Sequence, residues 1–585
     1  MESYEGIGNY GGNWRRGFSG VSDRWGPTKL VDRNWAWFDK NLNLQPRLME
    51  SWQVSDDGRE WTIKLREGTK WSDGSEFTTD DFAFWYDHEL LNKKITPGLP
   101  TVWRSDAATP VEFSAVDKYT AKFTFTKPKP MLIYYNTRGG TGGPMTPSKY
   151  MMQFHEDTTT DKAAIDAEIK ERGYDSWERY YVDYKSMWHL NPNKPVLGPW
   201  LGKGELSTEL FVMERNPYFF AVDPEGKQLP YIDTVTHRLF ESPEVLNLWL
   251  TNGEIDMQYR HLSLANLALY KSGEEKGDYT TKLSINAGHV AMQVNHSCKN
   301  PQLNELFNNL KVRQAMSAAI NREEVNELVF NGMLKPRQYS PLPMSPQYYE
   351  KAEKSWIEYD PDLANQLMDE AGYTEKDAQG FRLFKDGSGP ISFIIEGTDQ
   401  TGTPTEDAVL LVSGYLKKIG INAAYKYSER ALYTQHYEAN EIEAAWWGGD
   451  RTVLPLVPEA IIFRGVGIDR PWCPGWGLFY TDPTNPAAIE PPAGHWIWDI
   501  WKIWDDEIVV EVDPDKQTAA FKKILDIWAE QLPMIGILGE QPTPTVVKNG
   551  FMGYPAGMPN DDTTGDEQFC QSETYYWDDP SKHTM

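Results

Sequence analysis

Several kinds of chemistry are excluded by what this sequence lacks. It has three cysteines, Cys298, Cys473 and Cys570, far apart and without a C-x-x-C pair. No zinc framework can be built from them, and one disulfide at most can form. The ten histidines are scattered. The closest two in sequence, His289 and His296, have a spacing that suits neither a helix face nor a zinc turn. There is no G-x-S-x-G elbow, no H-E-x-x-H and no Walker loop, so no serine hydrolase, zinc protease or P-loop reading has a motif to stand on. Basic residues are few against acidic ones, 58 to 85, for a formal charge of −27. That argues against nucleic acid as a partner, because phosphates need Lys and Arg. No run of eighteen apolar residues exists, so no segment has the length of a membrane helix. The opening "MESYEGIGNYGGNW" is polar and glycine-rich, without a signal peptide; it fits a cytoplasmic start and equally an exported protein whose leader has been removed.

What is abundant is aromatic. Trp, Tyr and Phe make up 13% of the 585 residues, with 24 Trp. Large flat side chains fill cores, and they also stack against flat apolar ligand faces. A chain this long needs two to four cores of about 100–200 residues each.

From Pro46 the text is strand-like. "EWTIKL" puts Trp61, Ile63 and Leu65 on one face, and "VEFSAVDKYTAKFTF" alternates on both sides of a turn at Asp117, a hairpin. In "KWSDGSEFTTDDFAFWYDHEL" the Asp73-Gly74 turn precedes a helix start. Thr78 offers its hydroxyl as N-cap, and Asp81, three residues on, reaches back to the cap's N–H. The acids there are read as scaffold.

Beyond about residue 285 helices and strands alternate. "LKVRQAMSAAIN" is amphipathic at helical spacing. Asn321 with Glu324 caps the next helix, and Asp360 with Pro361 opens another. "ISFIIEG", "INAAYKY" and "EIEAAWW" are strands around the helix "EDAVLLVSGYLKKIG", and a last helix "KQTAAFKKILDIWAEQ" ends before Pro533. This order is an α/β domain.

The most informative stretch is "AAWWGGDRTVLP". A strand ends at Trp446 and Trp447, then two glycines precede Asp450 and Arg451. Ligands of α/β domains lie beyond the carboxyl ends of strands, glycines let backbone approach closely, and Asp450 can accept from an ammonium or from sugar hydroxyls. "RPWCPGWGLFY" reads as a Pro/Gly loop with Trp472 and Trp476 available for a cleft, and "GVSDRWGPTKL" as another with Arg24 and Trp25. These eight residues are the candidate ligand set. The bland alternative is that a tryptophan is core and Asp450 with Arg451 a surface pair.

Taken in order, "PRLMESWQVSDDGREWTIKLREGTKWSDGSEFTTDDFAFWYDHEL", "VMERNPYF", "NGEID", "LKVRQAMSAAINREEV", "DPDLANQLMDEAGY" and "LKKIGI" resemble the extracytoplasmic solute-binding proteins of ABC transporters. The specific likeness is to the family of oligopeptide-, dipeptide- and nickel-binding proteins, which has oligosaccharide-binding members. The resemblance spans nearly the whole chain. It implies an α/β, two-lobed periplasmic-binding-protein fold of type II, with an extra inserted domain and mixed sheets flanked by helices, hinged over a ligand cleft. The implied layout is a first lobe from 1–45, 190–285 and 530–585, an inserted domain from 46–189 and a second lobe from 286–529. Asp450 stands where peptide-binding members keep an aspartate for the peptide's amino terminus, and Arg451-Thr452-Val453 depart from those members. The function implied is capture of a solute for an importer, without catalysis, cofactor or metal. The partners are a small-molecule ligand and the transporter's permease subunits, and the protein is a monomer outside the cytoplasmic membrane. The tryptophan-rich loops favour an oligosaccharide, such as an α-galactoside or another plant-derived sugar, with an oligopeptide as the alternative. A glycoside hydrolase is the rival of another class and needs two inward carboxylates about 5–10 Å apart.

Overall fold

The computed structural model describes residues 1–585 except 2, 22–23, 32–33, 107–108, 138–142, 208, 450, 458, 468–469, 556 and 561–570. Asp450 and Cys570 therefore lie outside the described residues, and so does the side chain of Trp25. The chain forms two compact units. One holds Met1–Ser284, Thr543–Met558 and Thr564–Met585; the other holds Ile285–Pro542 and Pro559–Thr563. Among the described residues no helix is long and apolar enough to cross a membrane.

The first unit carries a mixed four-stranded sheet in which Asn13–Phe18 runs parallel to Thr234–Leu239, followed by antiparallel Leu210–Arg215 and Trp200–Gly202. A second, antiparallel sheet orders Met49–Val54, Glu60–Leu65, Thr120–Thr124 and Glu112–Asp117. The alternation read in "EWTIKL" is realised there: Trp61, Ile63 and Leu65 are buried while Glu60 and Lys64 face out. The buried face joins Trp35, Trp71, Phe77, Phe82, Trp85, Trp103 and Phe123 in one aromatic core.

The helix Thr79–Phe84 opens with a reciprocal capping box between Thr78 and Asp81. The Asp81 carboxylate does more than cap. It accepts from Thr78 N (3.0 Å), Trp71 Nε1 (3.1 Å), Ser148 N (2.9 Å) and Ser148 Oγ (2.6 Å), and it is buried. Asp81→Ala leaves these donors without an acceptor inside the core. The expected cost is about 2–3 kcal/mol of unfolding free energy, read from urea denaturation; an unchanged midpoint would mean the carboxylate is dispensable.

The second unit is built on a six-stranded mixed sheet, in the order Lys335–Pro336, Ile535–Gly539, Val290–Val294, Ala444–Trp446, Ser392–Gly397 and Asn422–Tyr427. The last three run parallel to one another, and Val290–Val294 runs against its two neighbours. The helices Leu310–Ala318, Arg322–Phe330, Pro361–Glu370, Pro404–Lys418 and Pro514–Gln531 flank it. Asn321 and Asp360 serve as the N-caps read from the sequence, accepting from Glu324 N and Leu363 N. Residues 530–542, assigned from the sequence to the first lobe, fall in this unit, because the apolar strand Ile535–Gly539 is fully buried beside Val290–Val294.

Two loop readings are corrected. "RPWCPGWGLFY" contains the helix Pro474–Thr481 with Pro474 at its first position, where a missing N–H costs nothing. Trp25 begins the helix Trp25–Val31. The two glycines of the first stretch are packing glycines: a Cβ at Gly477 would stand 2.0 Å from Gly465 O, and one at Gly475 would stand 2.8 Å from Asn440 Nδ2.

Candidate functional site

The parallel strands of the second unit all end at one edge of its sheet, and a cavity of about 440 Å³ opens there. Its wall is assembled from successive strand ends. Thr398 and Asp399 follow Ser392–Gly397, and Arg430 opens the helix after Asn422–Tyr427. Trp446, Trp447, Gly448, Gly449 and Arg451 end and follow Ala444–Trp446. Gln541 follows Ile535–Gly539, and Gly288 to Ala291 enter Val290–Val294, whose antiparallel direction brings its amino end to the same edge. This is where a ligand crevice belongs in an open α/β sheet. The volume lies within the range of small-molecule sites.

Trp446 is buried and Trp447 half-buried. The Trp447 ring packs near Tyr433, at 5.7 Å between centroids, and the Arg430 guanidinium lies over it at 4.2 Å. Its backbone is tied to the neighbouring strand by Trp447 N donating to Ala291 O and Gln293 Nε2 donating to Trp447 O.

Asp399 is held from two sides. The Tyr425 hydroxyl bridges its backbone, accepting from Asp399 N (3.0 Å) and donating to Asp399 O (2.7 Å). Thr405 Oγ1 donates to Asp399 Oδ1 at 2.7 Å. Burial lifts the Asp399 carboxyl above the usual carboxylate range, and the Thr405 bond offsets part of that rise. His289 is buried against Tyr339, with Nδ1 3.2 Å from Ala287 O. Burial first and the Arg337 charge second hold its imidazole far below its ordinary pKa. It stays neutral, a wall rather than a proton carrier.

The eight sequence candidates separate. Trp446, Trp447 and Arg451 are brought together at the cavity, and Arg451 is nearly buried there. Asp450 lies outside the described residues. Arg24 is exposed in the first unit, and its carbonyl accepts from the Thr28 amide and hydroxyl; Trp25 shares that segment. Trp472 and Trp476 are not among the residues that line this cavity. They are 0% and 1% exposed, packed with His296, Trp496, His495 and Trp528. The same core holds Cys473, a buried free thiol like Cys298, and burial raises the pKa of both.

Sequence reasoning missed Asp399, Thr405, Arg430, His289 and Gln541. The signal available was positional for Asp399 and Arg430, which follow the predicted strands "ISFIIEG" and "INAAYKY"; His289 and Gln541 adjoin Val290–Val294 and Ile535–Gly539, strands that were not read from the sequence.

Among the described residues, one cluster brings three metal-ligand atoms within reach of each other: His88, His155 and Asp157, in the first unit. The His155 nitrogens are already used. Nδ1 accepts from the Asp157 amide at 3.2 Å, which leaves Nε2–H to donate to His88 O at 3.0 Å. A cation would have to displace that amide.

Residues 43–455 match the model of the bacterial extracellular solute-binding proteins, family 5. The chain belongs to this family. Among curated relatives, the periplasmic alpha-galactoside-binding protein of Rhizobium meliloti is 22% identical over 599 aligned residues, 95% of this chain and 80% of that one. Among solved structures, an oligopeptide-binding protein OppA is 33% identical with a TM-score of 0.81, over 99% of this chain and 92% of that one. The binding protein MelB of Agrobacterium fabrum, solved with stachyose, has a TM-score of 0.70 at 18% identity, over 99% of this chain and 86% of that one. The fold is therefore that of the family's periplasmic binding proteins. Members of this family are substrate-binding components of ABC importers, which capture small ligands and work with permease subunits.

Proposed function

We propose that this protein captures an oligosaccharide outside the cytoplasmic membrane and delivers it to an ABC importer, as a monomer and without turning it over. The observation that carries the reading is the composition of the cavity wall. A half-buried tryptophan stands among side chains that both donate and accept, namely Asp399, Thr398, Arg430 and Gln541. A sugar ring presents apolar C–H faces and a rim of hydroxyls, so it needs that mixture. The likeness to an α-galactoside-binding protein and to a stachyose-bound structure supports it. Absence of turnover is supported by the family, whose members are substrate-binding components of importers. The layout with a smaller domain at 46–189 is also a proposal, motivated by the separate antiparallel sheet and aromatic core of that region.

An oligopeptide is the second reading. The 33% identity to an oligopeptide-binding protein favours it, and opposite charges at Asp399 and Arg430 would suit a peptide's two ends. Isothermal titration with stachyose, a cello-oligosaccharide and a tripeptide pool separates the readings. For a sugar, Trp447→Ala is expected to lose about 1–3 kcal/mol of binding, the worth of a buried aromatic contact. Binding of peptides alone, with that variant unaffected, would overturn the sugar. Recovery of a shortened sugar by mass spectrometry would overturn the non-enzymatic reading.

A further inference from the structure

The side chains that grip the ligand's polar groups need not be the tryptophans that the sequence advertises. Two groups in the cavity wall have unused hydrogen-bonding capacity and are at the same time held in place. The first is Asp399. Its backbone is fixed by Tyr425 and one carboxylate oxygen by Thr405, yet among the described residues nothing donates to Oδ2. A carboxylate offers about four acceptor sites, and Thr405 uses one. The second is Arg430. It opens the helix Arg430–Glu438, and its guanidinium rests on the Trp447 ring at 4.2 Å. Among the described residues no carboxylate or carbonyl accepts from it. A guanidinium over an indole face leaves N–H donors free for a ligand, and the cation–π contact limits the rotamers it must give up on binding. Both groups border the same cavity.

We propose that Asp399 and Arg430 form the polar subsite that determines ligand specificity, Asp399 accepting from neighbouring hydroxyls of one sugar ring while Arg430 donates to the oxygens of that ring or the next. This rests on the sugar reading above. It assigns recognition to an acceptor on one loop and a donor on another, and it gives Trp447 a second role as the platform that orients Arg430. Hydroxyls that reach both groups are selected, and an analogue lacking one leaves a held polar group without its partner.

The test uses the whole chain, with stachyose and cellotetraose as probes in titration calorimetry. The variants are Asp399→Asn, Arg430→Met and Arg430→Lys, and each is also melted without ligand. Asn keeps an acceptor for Thr405 but replaces a carboxylate oxygen by a donor. Asp399→Asn is expected to weaken the sugar that wild type binds by about tenfold or more, the scale of a hydrogen bond to a charged group. Its ligand-free melting temperature should stay within about 2 °C, because no buried group is orphaned. Arg430→Met should weaken binding similarly, with Arg430→Lys intermediate. Arg430 is exposed at a helix start, so its variants keep the test decisive if Asp399→Asn folds poorly. Sugar binding by wild type with both Asp399→Asn and Arg430→Met within twofold of it would overturn the subsite and leave the sugar reading standing. Wild type binding only a tripeptide pool would overturn both.

Discussion

Replacing Trp472 with alanine is expected to cost about 3–5 kcal/mol of folding stability, the range for removing a fully buried aromatic, and to leave the affinity of the surviving folded protein near wild type. Trp472 is 0% exposed. Its ring is stacked on Trp496 at 5.9 Å and 16°, and it meets Trp528 and His296 edge-on at 5.7 and 5.9 Å. Its indole N–H donates to Ile462 O at 3.0 Å, and its amide donates to Gln293 Oε1. Alanine would therefore remove the ring, leave a cavity and orphan a carbonyl. The neighbourhood cannot collapse easily, because His296 is itself fixed between Asn308 Oδ1 and Pro533 O. Trp476→Ala should behave alike, since that ring leans on His296 and His495. Urea unfolding followed by calorimetry on the refolded fraction separates the outcomes. Unchanged stability with lost sugar binding would restore these tryptophans to the ligand.

That expectation reverses the one the sequence invites, and the reason is physical. Proline and glycine around Trp472 and Trp476 look like loop residues because their commonest use is in turns. Here Pro474 occupies the first position of a helix. Gly477 is small because the carbonyl of Gly465 passes 2.0 Å from where its Cβ would be. A local pattern does not distinguish a glycine that bends the chain from one that admits a neighbour from elsewhere in the chain.

Where the physics is local, the sequence was legible. Thr78 with Asp81, Asn321 with Glu324, and Asp360 with Pro361 each specify a helix start within four residues, and each forms as read. The alternating strands from Glu60 and Thr120 pair with the expected faces buried. The site was legible only in part. Its wall is drawn from near residues 288–291, 398–405, 430, 446–451 and 541. Only the fourth of these has a local signature, two aromatics followed by two glycines at a strand end. Asp399 and Arg430 become prominent once the parallel strands share one edge, which is a consequence of pairing rather than of composition.

The two glycines of that signature carry the other large effect. Reading them together assigns both to close approach of a ligand, but the structure gives them different duties. A Cβ on Gly448 would stand 1.6 Å from His289 O and 2.5 Å from His289 C. Both are backbone atoms, so no rotamer change relieves the clash. Gly448 exists because the turn after Ala444–Trp446 is pressed against the segment entering Val290–Val294, and that contact shapes one side of the cavity. Gly449 is in the left-handed region, with φ +65°, and its Cβ would meet Ile462 Cδ1, the end of a flexible side chain. Gly449→Ala should cost about 1–2 kcal/mol, the strain of a left-handed alanine, plus a small adjustment of Ile462. Gly448→Ala should cost about 4 kcal/mol or more, because strand ends must part. It should also abolish ligand binding in whatever folded protein remains, since Trp447 and His289 would shift with the backbone. Urea unfolding of the two variants side by side, with calorimetry on each, gives the comparison. Equal stabilities would mean that the turn can yield, and that the glycine at 448 serves conformation rather than the packing of one strand end on another.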